Sequence, residues 1–204
     1  MRPSSLDEFV GQQHLLGPGK LLRELINAGQ LHSLLFWGPP GCGKTTLAQI
    51  LATATGAHCV HFSAVSSGVK DLKKIIDDAA RLYRLGKSTV LFVDEIHHFN
   101  KAQQDIFLPH VEQGTIILIG ATTENPSFQV IGPLLSRCQV LSLYPLSPEE
   151  IGLITDRALQ GNQKGLGALA LRILPEARQF LIEQAHGDAR VALNTLETTV
   201  AMLE

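Results

Sequence analysis

The sequence is poor in cysteine. Cys42, Cys59 and Cys138 stand far apart and are odd in number. They match neither a disulfide framework nor a zinc site, and they fit a reducing compartment. A basic excess is also lacking, since the net charge is −2 at pH 7. Any hold on nucleic acid must then come from a local patch or an assembled oligomer. No apolar run approaches the roughly 18 residues of a membrane span. The opening MRPSSLDEF has no hydrophobic signal core. There is no internal repeat and no low-complexity segment. These absences point to a soluble, intracellular protein. What remains is 204 residues with 45% hydrophobic content, enough for one ordinary core and a small satellite domain.

Short apolar runs alternate with helical patterns, which argues for a parallel sheet flanked by helices. Strands are expected at Ser33–Trp37, Cys59–Phe62, Thr89–Glu95, Thr115–Thr123 and Gln139–Leu143. Each reads as a strand buried on both faces. Helices are expected at Lys44 to about Ala54, about Val69 to Leu85, and from an Asn100 cap to His110. The pattern changes at YPLSPEE. Ser147 is placed as an N-cap, Pro148 at the first helical position, and Glu150 completes a capping box. Beyond it the chain reads as helices over Pro148–Leu159, Pro175–Ala185 and Ala189–Met202, with a Gly-rich link from Gly161 to Gly167. The domain boundary falls near Leu146, giving an α/β domain at 1–146 and a small all-helical domain at 147–204.

The run GPPGCGKT, from Gly38 to Thr45, fits G-x-x-x-x-G-K-[ST] between a strand and a helix. Its glycines let backbone N–H groups turn around phosphate oxygens, and the helix N-terminus adds a favourable dipole. Lys44 is placed for the β- and γ-phosphates of ATP and the Thr45 hydroxyl for Mg²⁺. Pro40, Gly41, Cys42, Gly43 and Thr46 complete the candidate nucleotide contacts. VLFVDEIHHF puts two carboxylates at the tip of an apolar strand, where burial without a cation is costly. Asp94 is the candidate Mg²⁺ ligand opposite Thr45, and Glu95 the candidate base for the attacking water. His97 and His98 are adjacent, with no third ligand at a suitable spacing. They read as surface or interface residues rather than a metal site. Arg137, in PLLSRCQV, has no carboxylate within three residues.

These residues resemble the AAA+ ATPases. RPSSLDEFVGQQHLLG, WGPPGCGKTTLA, the run from Asp94 to Val130 and LLSRCQV are similar to the replication-associated recombination protein A family. That family includes bacterial maintenance-of-genome-stability ATPases and the eukaryotic Werner-helicase-interacting ATPase. The resemblance covers Arg2 to about Glu197. It implies a P-loop NTPase (AAA+) fold with a five-stranded parallel sheet and a helical lid. It implies that Arg2, Pro3, Val10 and Gly11 contact the adenine. It makes Thr123 a sensor at the end of the fourth strand and Arg190, in GDAR, a second sensor near the γ-phosphate. Asp188 would cap the last helix. Through SRC it makes Arg137 an arginine finger acting on the neighbouring subunit. Many relatives carry Arg where His98 stands, and a small-residue or Asn-type pair where Gly132 and Pro133 stand.

The family implies ATP hydrolysis coupled to recognition or remodelling of single-stranded, gapped or forked DNA at stalled replication forks. The setting is recombination, repair and replication restart in the bacterial cytoplasm, associated with the nucleoid. The implied partners are DNA and replication or repair proteins, with no membrane. The implied assembly is a homo-oligomer, a tetramer or ring. Family members continue past the lid into a tetramer-forming region. A chain that stops at Glu204 is therefore expected to be a fragment, monomeric on its own. Lys70, Lys73, Lys74, Arg81, Arg84 and Lys87 line one helical stretch, read most simply as its solvated face. Two other readings stand beside this one. One is a clamp-loader subunit acting on a sliding clamp, and the other a slow ATP-gated interaction module.

Overall fold

The computed structural model describes residues 2–64, 68–161, 165–169 and 171–202. In chain order the elements are α1 (Gln13–Leu16), α2 (Leu21–Asn27), β1 (Leu34–Trp37), α3 (Lys44–Ala54), β2 (His58–Ser63), α4 (Val69–Arg84), β3 (Thr89–Asp94), α5 (Lys101–Asp105), α6 (Leu108–Glu112), β4 (Ile117–Thr122), α7 (Pro126–Gln129), α8 (Gly132–Leu135), β5 (Gln139–Ser142), α9 (Pro148–Gln160), α10 (Pro175–Ala185) and α11 (Ala189–Ala201). Short 3₁₀ turns lie at Ile96–His98 and Gly167–Leu169. The chain forms two compact units. One holds residues 15–38 and 44–143; the other holds the N-terminal residues to His14, the loop Pro39–Gly43, and the chain from Tyr144 onward.

The first unit is built on a five-stranded sheet in the order β2-β3-β4-β1-β5. Every neighbouring pair is parallel. β1, β3 and β4 are continuous apolar runs because other strands and helices cover them on every side. β2 and β5 depart from the expected two-faced burial. They are the edges of the sheet, and His58, Cys59, His61, Gln139 and Val140 are exposed there. The core joins Leu35, Leu91, Val93 and Leu118 of the sheet to Leu72, Ile76 and Ala79 of α4, with Phe99 and Phe107 closing it. Each such large side chain contributes about 1.5–3 kcal/mol on burial. The opposite face of α4 is exposed at Lys70, Lys73, Lys74, Arg81 and Arg84. The helix expected from Asn100 to His110 is two short helices instead. Pro109 has no N–H to bond Asp105, and its ring crowds that carbonyl, so the helix breaks between α5 and α6.

In the second unit α9, α10 and α11 pack around Leu146, Ile151, Ala158, Leu181, Ile182, Ala185, Ala192 and Leu196. The capping box at Ser147 is present. Glu150 N–H donates to Ser147 Oγ at 3.2 Å, and Ser147 N–H donates to Glu150 Oε2 at 2.8 Å. Of the Gly-rich link from Gly161 to Gly167, residues 162–164 lie outside the described residues. Arg178 on α10 grips Asp156 on α9 with two hydrogen bonds of 2.9 and 2.8 Å. Gly152 makes room, since a Cβ there would collide with the guanidinium.

The hydrogen bonds from Arg178 hold the Asp156 carboxyl below its ordinary range, with burial opposing and charge attraction adding to the effect. The group's folded pKa is depressed, so its stabilisation is present above the ordinary carboxylate pKa and is lost as pH falls below roughly 4. Both side chains are more than a third exposed, which limits the pair to about 1 kcal/mol. In acid titrations followed by circular dichroism, Asp156→Asn is expected to remove part of the stability difference between neutral and low pH. An unchanged acid transition would show that the pair contributes nothing.

Candidate active site

Parallel strands place their C-terminal ends on one edge of the sheet, where α/β proteins bind ligands. Trp37 at the end of β1 pairs with Thr122 at the end of β4, and Val93 beside Asp94 pairs with Gly120. The chain leaves β1 through Gly38, whose N–H donates to the Thr122 carbonyl at 3.2 Å. A Cβ on Gly38 would run into the Leu143 carbonyl, so the close β1–β5 approach requires glycine. Lys44 opens α3, and its side chain is buried, with Nζ donating to the Gly38 carbonyl at 2.7 Å. Thr45 and Thr46 follow, both half-buried, in the first turn of α3.

Asp94 ends β3, half-buried. Glu95 then adopts the left-handed conformation, φ 53° and ψ 53°. That turn brings the Glu95 carboxylate to the end of β4. Thr123 Oγ1 donates to Glu95 Oε2 at 3.5 Å, and His97 Nδ1 lies 3.2 Å from the same oxygen. Nδ1 is also 3.0 Å from Thr122 Oγ1, and Nε2 is 3.7 Å from Glu124 Oε1. Of the two histidines expected at a surface or interface, only one is exposed. His98 is exposed, but the His97 side chain is only 10% exposed. The 3₁₀ turn after Glu95 buries Ile96 and folds His97 against the end of β4. Of the two threonines there, Thr122 is fully buried and Thr123 is exposed.

Arg137 follows α8 and is not without a partner. Its Nη2 lies 2.5 Å from Glu112 Oε1, and Nη1 donates to the Pro133 carbonyl at 2.7 Å and to Ser136 Oγ at 3.1 Å. The sequence offers no carboxylate within three residues of Arg137, whereas the fold brings in one from α6. Both side chains remain well exposed, at 38% and 48%. The neighbouring Cys138 is buried, and burial pushes its thiol pKa up to about 12, so it is a protonated packing group at neutral pH. Gln104, which the sequence did not single out, is 1% exposed. It donates to the Phe99 and Gln129 carbonyls and accepts from Ile131 N–H, which ties down the segment carrying α7 and α8.

The second unit holds the middle of the loop. Gly41 and Gly43 have φ of 68° and 101°. A Cβ on Gly41 would overlap the Asp188 carboxylate, and one on Gly43 would strike the Phe9 ring. Ala189 N–H donates to the Gly41 carbonyl at 3.3 Å. Cys42 is buried, with its Sγ donating to the Pro39 carbonyl at 3.0 Å, and Pro40 is exposed. Asp188 caps α11 by accepting from the N–H groups of Arg190 and Val191 at 2.7 and 3.2 Å, leaving the Arg190 side chain exposed in the first turn. Gln12, also missed in the sequence, is buried and clamps three backbone groups. It donates to the Cys42 and Tyr144 carbonyls, and its Oε1 accepts from Tyr144 N–H. Gly11 is buried, Val10 and Pro3 are half-buried, and Arg2 is exposed. Among the described residues no group of three or more His, Cys, Asp or Glu is arranged to hold a metal, and no helix is long and apolar enough to cross a membrane.

Residues 1–139 match the family model for the P-loop domain of the Holliday junction DNA helicase RuvB. The chain is 50% identical to the replication-associated recombination protein A of Haemophilus influenzae over 204 residues, all of this chain and 46% of that protein. It is 47% identical over 200 residues to the ATPase WRNIP1 of Dictyostelium discoideum, covering 98% of this chain and 23% of that one. Among solved structures, the Thermotoga maritima RuvB Holliday junction branch migration motor superposes with a TM-score of 0.79 at 30% identity, covering 99% of this chain and 66% of that chain. The chain thus spans about half the length of the bacterial recombination protein it matches.

Gly41→Ala tests the loop packing. It combines a left-handed backbone with a Cβ that must displace Asp188. The expected loss is about 1–3 kcal/mol by chemical denaturation. An unchanged midpoint would mean that the loop does not need the Asp188 approach.

Proposed function

Because the chain belongs to the P-loop AAA+ ATPases, in the family of the Holliday junction DNA helicase RuvB P-loop domain, we propose that the whole protein hydrolyses ATP and couples this to work on DNA in recombination and replication restart. The observation that carries the reading is at one sheet edge. Gly38 and Lys44 flank the loop after β1, and the Asp94–Glu95 pair ends β3 at the same edge. The residues fit a magnesium nucleotide. Gly41 and Gly43 turn the loop backbone without side chains of their own, Lys44 supplies an ammonium, and Thr45 and Asp94 supply hard oxygen donors. When bound, MgATP supplies the phosphoanhydride and the metal charge that offsets developing negative charge.

Pro40, Gly41, Cys42 and Gly43 bind phosphate through the backbone, while Lys44, Thr45 and Thr46 contribute side chains from the start of α3. Asp94 holds the hydrated metal. Glu95 orients and deprotonates the water. Thr123, which donates to Glu95 at 3.5 Å, acts as the sensor at the end of β4 that hydrogen-bonds the γ-phosphate or the attacking water. Arg190 sits where a cation opposes its own helix dipole, which suits an anion facing it. Residues 147–204 act as a lid, and Arg2, Pro3, Val10 and Gly11 contact the base.

Arg137 acts on the nucleotide of a neighbouring subunit in a homo-oligomer. Reaching it means giving up the Glu112 pair, an exposed contact worth at most about 1 kcal/mol. A trans arginine contributes roughly 10³–10⁵ in rate where it operates, about 4–7 kcal/mol. The Glu112 contact is therefore no obstacle. DNA is single-stranded, gapped or forked, and the exposed cations of α4 are candidate phosphate contacts, with replication and repair proteins as further partners in the bacterial cytoplasm and nucleoid.

Two measurements on the whole protein test this reading. Glu95→Gln is expected to retain nucleotide binding and lose turnover by at least about 100-fold; wild-type turnover would remove the base assignment. Arg137→Ala protein titrated into wild type is expected to depress turnover per wild-type subunit if the arginine acts between subunits. Strictly proportional dilution of activity would remove the trans role.

A further inference from the structure

Glu95 carries three rotatable side-chain torsions, and its side chain is 31% exposed. A carboxylate of that kind samples many orientations, and a base in the wrong one does not meet its water. The contact from Thr123 is long, at 3.5 Å, and comes from an exposed residue. The closer and more enclosed contact is from His97, at 3.2 Å to Glu95 Oε2.

The hydrogen-bond pattern around Thr122 decides which nitrogen of His97 carries a proton. Thr122 Oγ1 accepts from Glu124 N–H at 3.0 Å and donates its one proton to the Glu124 carbonyl at 3.2 Å. With its proton so engaged, its other lone pair is free to accept from Nδ1, 3.0 Å away. Nδ1 therefore has acceptors on both near contacts, the Thr122 hydroxyl and the Glu95 carboxylate. A bare Nδ1 lone pair would repel Glu95 Oε2 at this distance, whereas an Nδ1–H bonded to Thr122 also presents its proton to the carboxylate 3.2 Å away. The ring is packed further by the His98 ring, whose centroid lies 4.3 Å away. His97 is thus fixed from β4 and fixes Glu95 in turn.

We propose that His97 is a positioning residue for ATP hydrolysis. Its Nδ1–H, braced by Thr122, holds Oε2 of Glu95 and leaves Oε1 to the attacking water. The imidazole thus links the base to the end of β4 through the Thr122 hydroxyl. This rests on the reading of Glu95 as the base.

The variants separate the two nitrogens. Asn places an N–H donor at the δ position, Gln at the ε position, and Phe keeps the ring without a donor. In the whole protein, His97→Gln and His97→Phe are expected to lower kcat by about tenfold or more. The affinity for a fluorescent ADP analogue, which needs no turnover, should stay within about twofold of wild type. His97→Asn should retain most of kcat. Equal activity in all three variants, equal losses in Asn and Gln, or parallel losses of kcat and ADP affinity overturn the proposal. If His97→Phe proves too unstable by thermal melting, the Asn and Gln pair decides. A second readout needs no activity at all. In histidine-labelled, nucleotide-free protein, nitrogen NMR should show His97 with a proton on Nδ1, and a neutral ring protonated only at Nε2 overturns it. Glu95→Gln distinguishes the two readings. If it keeps wild-type turnover, the base assignment fails; if it is inactive while all His97 variants match wild type, only the role of His97 fails.

Discussion

The chemistry of the sheet edge depends on β1 lying between β4 and β5. Leu34, Leu35 and Phe36 are fully buried there, and the pairing with Ile119 to Thr122 on one side and Gln139 to Ser142 on the other fixes the register. Side chains alternate along a strand, so a slip of one residue would send every apolar group of β1 to the wrong face. At about 1.5–3 kcal/mol for each large side chain, that is a steep cost for a marginally stable domain. The same register puts Gly38 against the Thr122 carbonyl and against Leu143. The start of the loop is thus positioned by apolar burial several residues away.

The turn at Glu95 is the second constraint. A glutamate in the left-handed region costs of order 1–3 kcal/mol. The flanks over-determine it, since Val93 and Ile96 are both fully buried and leave one path for the chain between them. That path carries the carboxylate towards β4 and His97 after it. Backbone strain, the buried imidazole and the fully buried Thr122 form one connected arrangement, which is a common way for a site to be built from a strand end.

Arg137 shows how an exposed charge can be held without being committed. Its contacts with Glu112, Pro133 and Ser136 give the guanidinium a defined position, yet water competes for all of them. A pair this shallow orders a long side chain at little cost and releases it to a stronger anion. Burying the same pair would have made release expensive.

The features legible in the sequence are the local ones. The strand–loop–helix around GPPGCGKT, the acid pair after an apolar strand, and the caps at Asn100 and Ser147 are expected from spacing and are present, as is the Asp188 cap that the family resemblance implies. Each depends on residues within a turn or two of one another, so periodicity and capping chemistry determine it. The break between α5 and α6 is equally local, since Pro109 alone accounts for it. The rest was decided by tertiary structure. Which strands are edges depends on the order β2-β3-β4-β1-β5, which no strand encodes by itself. The partner of Arg137 lies 25 positions away on α6, the partners of His97 lie 25 and 27 positions on at Thr122 and Glu124, and the carbonyl held by Gln12 lies 132 positions away at Tyr144. Hydrogen bonds and ion pairs act over about 3 Å, and chain separation says nothing about such distances until the sheet has closed.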